Sequence, residues 1–234
     1  MRRLGVVGAA VLVLGAVLAV SAAAIGVGGG EQARADRPVA RAAQEPVARA
    51  AQEKEDKEPC KGGARWPLKV MSDPGANAIK LNEVQTQPVK FMRGLNPPDK
   101  LTPIRSEQEK QVYRLPGVRL VKMRHEGDGD IHLVIRDPGT KNGMIVEFPA
   151  EQCLDKTRPD ARAMITAARK NLRRHCGTWG KMGDEFVRLK GKATIDGVAF
   201  FDRLHGQSGV GNPPKGIELH PVLAFTHARS CRQR

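Results

Sequence analysis

The sequence predicts a mainly β domain with one helix: a five-stranded Greek-key barrel behind an N-terminal extended arm. Three observations predict it. Five separate runs between Gln111 and Phe225 alternate or concentrate apolar residues as strands do, and a single stretch with helical spacing falls between the third and fourth of them. The long runs also carry internal Pro or Gly, where a strand can bend around a small barrel.

Each element has its own justification. The first strand is Gln111 to His125, interrupted at Pro116-Gly117, where a ladder donor is lost and a bend is easy. The second and third form a hairpin: Ile131, Leu133 and Ile135 alternate with His132, Val134 and Arg136, the Asp137-Pro138-Gly139 turn follows, and Met144, Val146 and Phe148 continue. The helix is expected from Thr157, as cap with Asp160 three residues on, to the stop at Gly177, with Ala161, Met164, Ile165, Ala168 and Leu172 on its apolar stripe. Val187, Leu189, Ala193 and Ile195 face one way in the fourth strand, with Gly191 and Gly197 as bulge positions, and Ile217 to Phe225 is the fifth. Strand, strand, strand, helix, strand, strand is the order of the barrel that binds oligonucleotides and oligosaccharides; a two-sheet sandwich is the alternative. Trp66 to Asn96, rich in turn residues, reads as an extended arm wrapping the core, with Trp66 as a packing anchor.

Residues 1–30 are excluded from the fold. Arg2 and Arg3 precede an apolar run ending in Ser21-Ala22-Ala23-Ala24, which reads as a secretory signal cut near Ala24, with retention as a membrane anchor the alternative. Residues 31–59 are built of Ala, Arg, Gln, Glu and Pro and repeat PVARAAQE at Pro38 and Pro46, so they are expected to be a disordered linker. Residues 60–234 are the domain.

The chain carries 39 Lys and Arg against 25 Asp and Glu, a formal net charge of +14, and nearly all of the excess lies in the domain. Such a surface suits a polyanionic partner, either nucleic acid, anionic lipid or acidic polysaccharide, although a merely solvated basic surface has the same composition. Arg188, Lys190 and Lys192 on the fourth strand and Arg169, Arg173 and Arg174 on the helix are the candidate contacts. The helix dipole accounts for part of the second group, because cations are favoured at a helix C-terminus.

Cys60, Cys153, Cys176 and Cys231 all fall in the exported part and imply two disulfides. Of three connectivities, Cys153 with Cys176 and Cys60 with Cys231 is the expectation. A zinc site made of them lacks support because no CxxC pair occurs.

Catalytic candidates lie on the strands. Asp128, Asp130 and His132 share a face because side chains two apart on a strand point the same way; Glu147, Asp202, His205, Glu218 and His220 follow on later strands. Gathered at one barrel mouth, these groups can hold a divalent metal, with Asp130, His132, Glu218 and His220 as ligand candidates. They can equally run acid-base chemistry through Asp130, His132, Glu147, His205 and His220. No Gly-rich phosphate loop, GxSxG elbow or HExxH occurs, and GQSGVG at Gly206 to Gly211 lacks the GK[ST] of a phosphate loop.

The segments RWPLKVMSDPGA (Arg65 to Ala76), GDIHLVIRDP (Gly129 to Pro138), MIVEFP (Met144 to Pro149), GVAFFDRLHGQSGV (Gly197 to Val210) and IELHPVL (Ile217 to Leu223) resemble a group of exported bacterial proteins with no established activity. The resemblance implies compartment and fold, not a reaction. A more distant similarity is to the staphylococcal-nuclease branch of the same barrel, against whose acids Asp128, Asp130, Glu147 and Glu151 can be set. Gly143 and Met144 stand near where that branch carries its catalytic arginine, so its stabilisation of a phosphoryl transition state is either missing or supplied elsewhere.

Three functions follow as expectations: an exported module binding a polyanion, a metal-dependent phosphodiesterase or nuclease, and a structural protein of the cell envelope.

Overall fold

The structure, a computed structural model, describes residues 58–177, 185–204 and 214–233. The expected signal or anchor, the linker before Glu58, Trp179, His205 and the Gly206 to Gly211 stretch lie outside the described residues.

The domain is mainly β, a single sheet of six strands. These are β1 (Val84–Thr86), β2 (Val112–His125), β3 (Ile131–Arg136), β4 (Gly143–Phe148), β5 (Val187–Phe201) and β6 (Ile217–Gln233). Neighbours run β1-β2-β3-β4-β6-β5, and β5 pairs again with β2. All contacts of β2 with β3 and β5 are antiparallel, whereas β4 and β6 run parallel, with Ile145 against Glu218 and Val146 against Leu219.

The long strands bend where the sequence places Pro and Gly. Pairing of β2 with β5 shifts register between Leu115 and Val118, across Pro116-Gly117, and pairing of β5 with β6 shifts at Gly191 and around Gly197. Gly191 has φ +126° and a Cβ there would lie 2.6 Å from the Arg229 carbonyl, so only glycine lets β6 approach.

Strand alternation sorts the side chains. Ile131, Leu133, Ile135, Met144, Val146, Phe148, Leu189, Ala193, Ile195, Ile217 and Leu219 turn into one core, together with Ala168, Leu172 and Cys176 of the long helix. The opposite face of the sheet is covered in part by a second apolar cluster, in which Val70, Met71, Ala76 and Ile79 of the N-terminal segment meet Val112, Val198 and Leu223 of the strands and Ala161 and Ile165 of the helix. Trp66 packs against this second cluster, as its bulk suggested.

The segment expected to be an extended arm is instead folded into short turns. It contains α1 (Trp66–Lys69), 3-10 turns at Gly63–Arg65 and Pro74–Ala78, the strand β1, and α2 (Val89–Gly94). Pro67 and Pro74 sit in first turns, where a fixed φ suits a helix start and the missing N–H costs nothing. Among the described residues there are therefore three α-helices, not one. The carboxylate of Asp137, in the β3–β4 turn, accepts the N–H groups of Val89 and Lys90 at 2.9 Å each and so caps α2 from across the chain.

The segment is locked down by buried ion pairs. Arg105 grips both oxygens of Asp73 and donates to the carbonyls of Leu68 and Glu109. Glu109, 0% exposed, accepts from Arg65 and from the backbone N–H groups of Ser106 and Phe201.

The long helix, α3, spans Pro159–Cys176 and stops at Gly177, which takes φ 104°. Thr157 does not cap it. Its hydroxyl donates to the Val70 carbonyl at 2.6 Å, tying the helix entry to the N-terminal segment, and Arg158 occupies the cap position.

The disulfides join Cys60 to Cys153 and Cys176 to Cys231, with Cα separations of 5.1 and 4.8 Å, which corrects the expected pairing. Cys153 precedes α3 and Cys176 ends it, and 18 helical residues span about 27 Å, far beyond the reach of one disulfide. Each half-cystine instead finds the segment beside its own end of the helix. Two disulfides point to an oxidising, extracellular environment. Among the described residues, no helix is long and apolar enough to cross a membrane.

Candidate functional site

The sheet face turned away from the main core carries two polar features, and the N-terminal segment decides which of them meets solvent. Where that segment lies over the sheet, acids and imidazoles are buried. Beyond it, among the described residues, β2, β5 and β6 present exposed basic side chains.

On the basic part, Arg188, Lys190 and Lys192 are exposed on alternate positions of β5. Their cross-strand neighbours are basic as well: Lys122 stands opposite Arg188, Arg119 opposite Lys192 on one side, and Arg229 opposite Lys192 on the other. Directly opposed like charges repel. Among the described residues, no carboxylate pairs with Arg119, Lys122, Arg188, Lys190, Lys192 or Arg229. The next cation along β2, Arg114, is by contrast neutralised by Asp196 through two bonds of 2.8 and 2.7 Å. Lys122 and Arg124 sit over the Phe186 ring at 3.8 and 4.6 Å, which holds both charges at the edge of the patch.

Of the helix arginines, Arg169 is engaged elsewhere. Arg169 donates to the backbone carbonyls of Phe148 and Gly129, so its guanidinium ties α3 to the ends of β3 and β4. It is structural, not a free contact. Arg174 is exposed and donates to Asn171, and Arg173 is exposed about one turn beyond Arg169.

On the covered part, the expected acids and imidazoles do converge. Asp130, His132, Glu147, Glu218 and His220 come together on the outer face of the sheet beneath α1. They alternate with Ile131, Leu133, Val146, Phe148 and Leu219, which fill the core. His132 stands opposite Glu147 in the β3–β4 ladder. Its Nδ1 lies 2.9 Å from Glu126 and 3.1 Å from Glu147. His220 Nε2 lies 3.0 Å from Asp130 Oδ2 and its Nδ1 lies 2.9 Å from Glu147 Oε2. Despite those distances neither His220 nitrogen makes a hydrogen bond of ordinary geometry, and Asp130 Oδ2, Glu147 Oε2 and Glu218 Oε2 are also buried without a partner. The other Asp130 oxygen accepts the Ala150 N–H at 3.2 Å, and Asp128 accepts the Asp130 N–H at 3.0 Å.

Two members were not legible as site residues. Lys69 of α1 places its Nζ 3.3 Å from Asp202 and 4.0 Å from Glu147, and Glu126 comes from the turn before β3. Glu126 lies two residues from Asp128 and has only that proximity as a signal; Lys69 has none.

Electrostatics divides the cluster. Burial works against charge on Lys69, but the carboxylates of Asp202, Glu147 and Glu218 overcome it and hold the ammonium well above its ordinary range. Burial likewise opposes the imidazolium of His132, yet hydrogen bonds to Glu126 and Glu147 raise it to about 9. His220 also rises to about 9, because Glu147 and Asp130 outweigh its burial. Burial pushes Glu147 up, and the opposite charges of His220 and Lys69 reverse that and leave it well below the carboxylate range. Glu218 is driven well above that range by burial and by Glu147 and Asp202, and Asp128 to about 8 by burial and by Asp130. More carboxylates are buried here than the cations present can keep ionised.

Comparison of the chain with protein-family models, with curated proteins and with solved structures found no match.

Proposed function

We propose that this is an exported, disulfide-stapled domain of the oligonucleotide- and oligosaccharide-binding barrel type, whose β2–β5–β6 face binds a polyanionic chain, nucleic acid or acidic polysaccharide. The return pairing of β5 with β2, the parallel β4–β6 contact and the helix between β4 and β5 support the barrel reading. The two disulfides and the N-terminal apolar run of the sequence support export.

The observation that carries the binding function is the cross-strand row Arg119, Lys192, Arg229. Three cations on adjacent strands with no carboxylate between them repel one another in the free domain, and a string of anionic groups laid across the strands relieves that repulsion. The test is retention of the purified protein on heparin and on single-stranded DNA. The wild type is retained and elutes with salt, and a variant with Arg188→Ser, Lys190→Ser and Lys192→Ser elutes at clearly lower salt. Retention of the variant equal to that of the wild type sinks the reading.

A hydrolytic function is less well supported. The residues it needs do meet, but Asp130 and His220 are 0% exposed, and a polymeric substrate has to reach the groups that cut it.

A further inference from the structure

We propose that Asp130, Glu147 and His220 bind one divalent transition-metal ion, beneath α1 and apart from the basic face. The proposal does not depend on the polyanion reading.

The geometry of orphaned atoms points to it. Polar groups buried in a protein are almost always hydrogen-bonded, and each exception calls for an explanation. Here the exceptions cluster: Asp130 Oδ2, Glu147 Oε2 and both nitrogens of His220 are buried and without a hydrogen-bond partner, and they face one another. One ligand atom from each of the three residues falls within 4.8 Å of the others. The two close approaches, 3.0 Å to Asp130 and 2.9 Å to Glu147, are made by different ring nitrogens, Nε2 and Nδ1. An imidazole gives an ion one nitrogen, so one carboxylate would share the ion with that nitrogen and the other would reach it from within the 4.8 Å spread of the group.

The neighbouring triad of Glu126, His132 and Glu147 is also compact, but it does not have this signature. His132 Nδ1 lies within hydrogen-bond distance of both carboxylates and is not orphaned. The unsatisfied atoms are on the His220 side.

The surroundings hold the three groups in place, as a metal site requires. Asp130 is fixed through its second oxygen by the Ala150 N–H, and Glu147 through its second oxygen by His132. The His220 ring packs edge-on against Phe200, with centroids 5.7 Å apart. The orphaned Glu218 Oε2 belongs to the same buried cluster, two residues before His220 on β6.

The donor set selects the chemistry of the ion. One imidazole with two carboxylates suits zinc, manganese or iron, whereas calcium and magnesium prefer oxygen alone. Burial at 0% exposure of Asp130 and His220 makes the site a structural one that joins β3, β4 and β6.

The experiment uses the full chain, exported and purified without chelator. Elemental analysis is expected to find about one equivalent of zinc, manganese or iron. After chelation, adding Co(II) should produce visible absorption bands of an N/O-ligated ion, and adding Zn(II) should raise the thermal midpoint. Asp130→Asn and Glu147→Gln, which keep shape and remove charge, should each weaken Co(II) binding at least tenfold, and His220→Gln should abolish the bands. The proposal is overturned if no metal is found and Zn(II) or Co(II) changes neither spectrum nor midpoint, in which case His220 is simply an imidazolium between two carboxylates. It is equally overturned if binding persists in all three variants, since the metal then sits elsewhere. Should a variant fail to fold, the wild-type stoichiometry and the chelator-dependent midpoint decide the matter alone.

Discussion

Lys192 of β5 stands directly opposite Arg119 of β2, with no carboxylate to separate them among the described residues. On its other side Lys192 faces Arg229 of β6, so the central cation of the row is repelled from both neighbours. A directly opposed like-charge pair costs roughly 0.2–1 kcal/mol. Lys192→Thr, which suits a strand, is therefore expected to raise stability slightly and to weaken polyanion binding at the same time. Thermal melts at low salt and a binding titration check the two halves. A variant that is both less stable and unimpaired in binding contradicts the assignment.

The disulfide pairing is tested by non-reducing peptide mapping, which should recover a Cys60–Cys153 peptide and a Cys176–Cys231 peptide. These bonds close sequence separations of 93 and 55 residues. Restricting the unfolded chain over such loops contributes about 4–5 kcal/mol each in the chain-entropy account. Removing Cys176 and Cys231 together by serine should lower the thermal midpoint by many degrees, as should reductant on the wild type. A midpoint that reductant leaves unchanged contradicts this.

Arg105 anchors the N-terminal segment, since its side chain is fully buried and spans Asp73, Leu68 and Glu109. Arg105→Ala strands the Asp73 carboxylate in the interior, and the expected loss is ~3–5 kcal/mol, read from denaturant unfolding. Asp73→Asn leaves the buried Arg105 guanidinium without its counter-charge and is expected to be destabilising as well. Wild-type stability in either variant contradicts the account.

The chain contains one tyrosine, so its phenol can be titrated by absorbance without ambiguity. Tyr113 is buried in the main core, and burial raises its pKa above the ordinary 10.0. The neutral form is thus favoured in the folded state. Its contribution to stability is intact below pH 10 and is lost as pH climbs from there through the folded pKa, because the unfolded chain releases the proton first. Tyrosinate absorbance should rise above pH 10 in the native protein and near 10 in denaturant. Identical titrations contradict burial of the ring hydroxyl.

The sequence exposed strands better than it exposed what covers them. β2 to β6 were legible because apolar residues alternate and because Pro116-Gly117, Gly191 and Gly197 mark the bends. The convergence of Asp130, His132, Glu147 and His220 was legible only in part. Period-two alternation put Asp130 and His132 on one face, but deciding that this face lies outside the core needed the packing of Val70, Met71 and Ile79 over it. Lys69 gave no signal, since a lysine in a four-residue helical turn looks like any solvated one until Asp202 and Glu147 are seen beside it. The cysteine pairing failed for a length reason: Cys153 and Cys176 are near in sequence, but the rigid helix between them, Pro159–Cys176, holds its two ends about 27 Å apart. Arg119 and Arg229 were unremarkable in sequence because cross-strand registry, not spacing along the chain, brings them to Lys192.

The measurement that tests the central claim most directly is the salt dependence of binding to a fluorescently labelled single-stranded oligonucleotide, with a heparin oligosaccharide as competitor. Arg119, Lys122, Arg188, Lys190, Lys192 and Arg229 offer up to six contacts. Five or six contacts to a single strand give a slope of about −3.5 to −4.2 in log affinity against log salt, at about −0.7 per contact. The account predicts a slope in that range for the wild type, competition by heparin, and a slope shallower by about 2 after Arg188→Ser, Lys190→Ser and Lys192→Ser. No binding at low salt, or a slope that the triple substitution leaves unchanged, contradicts the claim that this face is the binding surface.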